Sequence, residues 1–240
     1  MTRLQVSFIC LVGAVFASPC SAAPILWYNG DPVYPNGFVG WPSFYHSPTL
    51  PFYSEAYDNF IVPAGQIWTV QEIFAHKAYL NDQSIMYITQ ANWQIRSGMS
   101  DGNPGVLVAS GMGSITKTPT GNPNAPLNYL EYRIELSGLN VVLNPGTYWL
   151  DLQPITTNAI PVMSQAITYG ANAIGVPPGN DGQSFLTFNF SNTFVNYYQS
   201  QTFDFSLGVR GLQTVIPEPA TLMVVAVMAV GAIGWRRRSV

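Results

Sequence analysis

Cysteine is almost missing from this chain: the only two, Cys10 and Cys20, both lie ahead of Ala22. Residues 23–215 therefore hold no disulfide, no thiol nucleophile and no thiolate ligand for a metal. Histidine is as scarce. His46 and His76 stand thirty residues apart, without the i,i+2 or i,i+4 spacing that sets two imidazoles on one metal. Charge is thin too, at 9% of residues. Between 23 and 215, Lys77, Arg96, Lys117, Arg133 and Arg210 stand against eleven acids, for a net −6. Without a basic patch, nucleic acid is excluded as a partner. No G-x-S-x-G and no H-E-x-x-H occurs, so the serine-hydrolase and zinc-protease signatures are lacking. Residues 23–215 also show no window with a 3.6-residue apolar period, which argues against amphipathic helices.

What is there instead is alternation. In YLEYRIEL, Leu130, Tyr132, Ile134 and Leu136 point one way, and Tyr129, Glu131, Arg133 and Glu135 the other, the pattern of a half-buried strand. TFDFSLGVR sets Phe203, Phe205, Leu207 and Val209 against Asp204, Ser206 and Arg210; QANWQIRSG sets Trp93 and Ile95 against Asn92, Gln94 and Arg96. IWTVQEIFAH, GVLVASG and PGTYWLDLQP are further strands. Turn residues at 63–65, 101–105, 120–124 and 144–146 separate them. Many short strands with such turns predict an all-β, antiparallel β-sandwich of jelly-roll type over 23–215. That length supports one core without disulfides.

One stretch departs from this pattern. Leu26 to Tyr57 contains ten aromatic residues interleaved with Pro32, Pro35, Pro42, Pro48 and Pro51. Beyond a first strand at 25–29, it is expected to be an ordered aromatic and proline-rich loop over 30–57 lying on the sandwich. Soluble domains seldom leave a wide apolar row exposed without a use. Most of these rings are therefore expected in the interior. Trp41, Phe44 and Tyr45, bracketed by Gly40, Pro42 and Pro48, are the candidates for a surface that stacks on sugar rings.

Candidates for catalysis are few. Glu131 and Glu135 share a strand face with Arg133 between them. Their Cα atoms would stand about 13 Å apart, too far for a glycosidase pair at ~5–9.5 Å. Glu72 or Asp151 from a neighbouring strand is needed to alter that. His76 is expected near a strand end and His46 in the aromatic loop. Neither supplies a base for a Ser-His-Asp arrangement. Asp101 to Asn103 and Asn180 to Gly182 have oxygen side chains of the kind that bind Ca²⁺, but turn chemistry explains them more simply. The expectation is no catalytic residue, no metal and no cofactor.

The two ends of the chain carry addresses. Arg3 precedes the apolar run Val6 to Ala17 and the small-residue segment Ser18 to Ala22, the order of a signal peptide over 1–22 cut after Ala22 by signal peptidase. At the other end, Pro217, Glu218 and Pro219 lead into Ala220 to Trp235, where Thr221 is the only polar side chain, and then Arg236, Arg237 and Arg238. As a helix this run is roughly 24 Å long, short for a ~30 Å hydrocarbon core. The arginines hold its end at a cytoplasmic headgroup surface. The two prolines bar a helix upstream.

This tail, residues 216–240, resembles the PEP-CTERM sorting signal of bacterial secreted proteins. The resemblance implies recognition and processing by the membrane protease-transpeptidase exosortase at Pro217 to Pro219, after transient anchoring through 220–235. The body, with ILWYNGD, YDNFIVPAGQIWTV, GNPGVLVASG and LNPGTYWLDLQP, resembles a β-sandwich domain of secreted bacterial proteins bearing the same tail; that likeness implies a fold and no activity. The expected function is that of a non-enzymatic cell-envelope or extracellular-matrix protein associated with extracellular polysaccharide. A secreted carbohydrate-active hydrolase on the same scaffold is the alternative.

Overall fold

The computed structural model describes residues 22–217 apart from 39, 47–52, 81–84, 123–124, 126–128, 157–163, 178–180, 189–190 and 197–203. The expected signal peptide up to Ser21, and Glu218, Pro219, the span 220–235 and the arginine cluster, lie outside the described residues. Among those described, no helix is long and apolar enough to cross a membrane.

In chain order the strands are β1 (Ile25–Tyr28), β2 (Pro32–Val33), β3 (Trp41–Pro42), β4 (Phe44–His46), β5 (Tyr53–Val62), β6 (Gln66–Tyr79), β7 (Gln90–Ser97), β8 (Val106–Ser114) and β9 (Thr116–Pro119). There follow β10 (Leu130–Leu143), β11 (Gly146–Thr156), β12 (Ser164–Gln165), β13 (Ile167–Thr168), β14 (Phe185–Phe188), β15 (Ser191–Asn196), β16 (Asp204–Phe205) and β17 (Leu207–Val215). The first sheet runs β1-β17-β6-β10-β9, with β12 and β3 continuing beside β6; the second runs β15-β14-β5-β4-β11-β7-β8. A small third sheet, β16-β13-β2, joins the chain's early and late segments. The protein is thus all-β and sandwich-like. Almost every pairing is antiparallel, and the exception is β4 with β11, at Ile155 opposite Tyr45.

Trp68, Val70, Ile73, Ala75 and Tyr79 of the first sheet meet Phe60, Ile95, Leu150 and Leu152 of the second in one apolar cluster, with Trp27 fully buried among them. The order of those β6 residues records a change of phase. Core positions fall on 68 and 70, then on 73, 75 and 79. The shift sits at Gln71, which both neighbours skip: Arg210 pairs with Glu72 and Gly211 with Val70, while Ser137 pairs with Glu72 and Val141 with Val70. One extra residue reverses every side chain beyond it. The bulge therefore turns Glu72, Phe74 and His76 to the outer face.

That outer face is built over. Phe74 is wholly buried, with Tyr28 at 5.3 Å between ring centroids and the Arg133 guanidinium 3.8 Å above its ring. His76, expected near a strand end, is instead within β6 and buried, its Nδ1 2.8 Å from Ser206 Oγ. The aromatic segment is also more regular than its prolines suggest, since it contributes β2, β3, β4 and the start of β5. Pro32 and Pro42 fit because those strands are two residues long and need few ladder bonds.

Alternation failed wherever both faces are covered. Asp204 and Ser206, expected on a solvated face, are fully buried along with Phe205 and Leu207; Asp204 Oδ2 accepts the Asp181 N–H, and Ser206 Oγ donates to the Gly30 carbonyl at 2.7 Å. In β10, Ile134 and Leu136 are buried as expected, but Glu131 is buried and Leu130 exposed.

Candidate functional site

On the outer face of the second sheet lies a groove of about 410 Å³. Three strands form it. β7 presents Asn92 and Gln94 from the face opposite the buried Ala91, Trp93 and Ile95. β5 adds Glu55 and β11 adds Gln153, while Leu107, Ser110 and Gly111 of the edge strand β8 make the rim. Gly111 pairs with Trp93, and a β-carbon at Gly111 would come 3.0 Å from the indole nitrogen. The missing side chain makes room for the Trp93 indole on the core face of the sheet, beneath the groove.

The polar groups are held in place. Gln94 Nε2 donates to Glu55 Oε1 at 2.6 Å, Arg96 Nε donates to Gln94 Oε1 at 3.0 Å, and the Tyr57 hydroxyl donates to Glu55 Oε2 at 3.0 Å. Gln153 Nε2 donates to the Ser54 carbonyl at 2.9 Å. Burial pushes the Glu55 carboxyl up, against the lowering effect of the Tyr57 and Gln94 bonds and the Arg96 charge. Among the described residues, no lysine or arginine lines the groove. Such an array of carboxamides, a hydroxyl and one carboxylate both donates to and accepts from ligand hydroxyls. It offers an anion no compensating charge.

Behind the groove, β4 wedges between β5 and β11, whose own pairing stops at Leu150 opposite Asp58. There Asp151 Oδ1 accepts the Ala56 N–H at 3.1 Å in place of a strand carbonyl. Burial first, then the Glu55 charge, raises Asp151 to about 8. Across the interior, Lys77 is fully buried and donates to Ser43 Oγ at 2.9 Å. Burial lowers it to about 7, partly offset by Asp151.

The carboxylates considered for hydrolysis lie elsewhere. Glu131 accepts from the Tyr34 hydroxyl at 2.5 Å and from Asn122 Nδ2 at 2.7 Å. Glu135 pairs with Arg133 at 2.8 Å, and Arg210 reaches Glu72 at 3.1 Å and Glu135 at 3.9 Å. This charge network sits on the outer face of the first sheet and holds Arg133 over Phe74. Asp151 comes behind Glu55 but is buried and does not line the groove.

Of the stacking candidates, Trp41 is half-buried, packs on the main core and meets Phe38 edge-on at 5.6 Å. Phe44 and Tyr45 form β4 with His46; their side chains are outside the described residues. Asp101 to Asn103 is a turn, with a Ser100–Asn103 bridge and Gly102 at φ 71°. Asp181, itself exposed, donates its N–H to the buried Asp204 Oδ2 at 2.9 Å and accepts from Asn59 Nδ2 at 2.8 Å.

Sequence reasoning identified Asn92 and Gln94 only as the polar face of a strand. The convergence of Glu55 and Gln153 on them depends on strand order, which leaves no local signal. Compared with known proteins, the chain matches no family model and no curated protein.

Proposed function

We propose that this chain is an exported, non-enzymatic protein of the bacterial cell envelope or extracellular matrix that holds a neutral polysaccharide in the groove over Asn92, Gln94 and Gln153. The observation that carries this reading is the groove itself: amide groups fixed by internal hydrogen bonds, one carboxylate and, among the described residues, no basic lining residue. Fixed donors and acceptors reduce the ordering cost of binding, and carboxamides suit vicinal hydroxyls. The PEP-CTERM-like tail supplies the address. Exosortase processing near Pro217 to Pro219 would leave the sandwich at the surface without Arg236 to Arg238.

Hydrolysis has weaker support. Glu55 is a buried carboxyl with a raised proton affinity in a groove, as a general acid should be. Among the described residues, however, no second carboxylate lines the groove, and both glycosidase mechanisms use two.

The test is a glycan array probed with the purified full-length chain, beside mass spectrometry of the mature protein from exosortase-positive cells. Binding to neutral polysaccharides and loss of the arginine cluster are expected. No glycan binding would remove the groove reading, and an intact C-terminus at Val240 would remove the sorting reading.

A further inference from the structure

Both ends of the described chain lie at the same end of the sandwich. β1 runs antiparallel to β17, and the Pro24 carbonyl accepts the Gly211 N–H at 3.1 Å. Residues ahead of Pro24 therefore head the same way as the last residues of β17. That strand ends at Val215, opposite Gln66 at the start of β6. The Ile216 N–H then donates to the Gly65 carbonyl at 2.7 Å, which ties the chain to the turn between β5 and β6. Asn144 and Pro145, between β10 and β11, belong to this end too, since Gly146 pairs with Val62.

The surface of this end is apolar and almost uncharged. Val142 and Leu212 both pair with Thr69, one from each side, and Val215 and Ile216 follow. These four side chains are between 40% and 67% exposed. Val106, opposite Ser97 on the second sheet, adds another exposed apolar side chain. Among the described residues of 22–25, 63–70, 98–106, 139–145 and 211–217, Asp101 is the one charged side chain. A lone exposed valine is ordinary; an uncharged group of apolar side chains where the chain leaves the fold calls for a cover.

The length of chain beyond this end identifies the cover. Glu218 and Pro219 alone separate Pro217 from Ala220, where the apolar run begins. That tether reaches at most roughly 10 Å. With the run in a bilayer, this end of the sandwich has no room to stand clear of the headgroups. The run Val6 to Ala17 joins the fold at the same end, through residues 18–22.

We propose that this end of the first sheet, with Val142, Leu212, Val215 and Ile216 at its surface, docks on the outer surface of a lipid bilayer that residues 220–235 cross; the docking rests on the reading of 220–235 as a span. With no lysine or arginine among the described residues here, apolar burial in the interface drives it, and attraction to anionic lipid does not. Docking stands the strands upright on the membrane. Gln94 lies three residues along β7 from Ser97, roughly 10 Å above the membrane-facing turn, so the groove is open to polysaccharide while the precursor is still anchored.

The test uses the full-length chain, with Cys10→Ser and Cys20→Ser, reconstituted in phosphatidylcholine vesicles. Each sample carries one environment-sensitive fluorophore on a cysteine introduced at an exposed position. Val142→Cys and Val215→Cys report this end; Tyr87→Cys, between β6 and β7, reports the opposite one. The first two labels are expected to shift to the blue and to be quenched several-fold more by nitroxide-bearing lipid than the Tyr87 label. Replacing part of the phosphatidylcholine with phosphatidylglycerol should leave this unaltered. Either reporter at this end decides if the other variant fails to fold. A chain that floats with the vesicles while all three labels respond alike would overturn the docking and leave the span in place. A chain that does not float with the vesicles would overturn both. Quenching that appears only with phosphatidylglycerol would overturn the apolar docking.

Discussion

At Gly208 a β-carbon would stand 2.1 Å from the Phe74 ring, and that ring cannot retreat. Tyr28 flanks it and Arg133 covers it. Glycine is there to admit an aromatic side chain. Gly208→Ala is expected to cost about 1–3 kcal/mol through overpacking, read as a lower urea midpoint with unchanged slope; an unchanged midpoint would mean that the ring is mobile. His76, beside the same ring, carries a pH dependence. Burial, with the Arg133 charge adding to it, lowers the imidazole from 6.5 to about 4. Between those values the unfolded chain holds a proton that the folded chain does not, so His76 makes stability fall as pH drops from 6.5 towards 4. Asp151 acts in the opposite sense. Its folded carboxyl is raised from 3.8 to about 8, so its contribution is fully present below 3.8 and is lost as pH rises through 8. Asp151→Asn, which keeps an oxygen for the Ala56 N–H, is expected to flatten the fall on the alkaline side of a stability–pH profile towards pH 8 and to steepen the His76-driven rise between pH 4 and 6.5, where Asp151 opposes it. An unaltered alkaline slope would contradict the burial of an ionisable Asp151.

At the scale of the element, the strands of the second sheet decide whether a groove exists. Gln94→Ala with Gln153→Ala removes two fixed amides from β7 and β11 without touching the apolar cluster. Glycan affinity is expected to fall by tenfold or more, with the melting temperature within a few degrees of the wild type; a large fall in melting temperature would recast both residues as structural. How much of this was legible in the sequence depended on how each strand is covered. β7, half-exposed, reads correctly from QANWQIRSG because one face meets water. β16 and β17 up to Val209 are buried on both faces, so the charge of Asp204 misled: its Oδ2 accepts an N–H from a turn 23 residues away at Asp181. The bulge at Gln71 was illegible too, since no glycine or turn residue marks it in β6; only Gly211, whose β-carbon would stand 2.1 Å from the Thr69 carbonyl, shows the close approach from the neighbouring strand.

For the molecule as a whole, composition narrowed the chemistry to look for, and strand order assembled the groove on which the proposed function rests. Lacking cysteine, residues 23–215 join their early and late segments through the third sheet and through Tyr28, whose N–H and C=O bond Ile174 O and N at 2.9 and 2.7 Å. The stacking surface expected at Trp41 has its indole against the core, while the amide groove, assembled from three strands, was beyond local reading. The central claim is that this sandwich holds a neutral polysaccharide and leaves it intact. Titration of the purified chain with the neutral polysaccharide ranked first on the array, followed by assay of new reducing ends in the same samples, tests it most directly. The account predicts saturable binding, weakened by loss of Gln94 and Gln153, with no reducing ends formed. Reducing ends that appear with the wild type and vanish in Glu55→Gln would contradict it and identify a hydrolase.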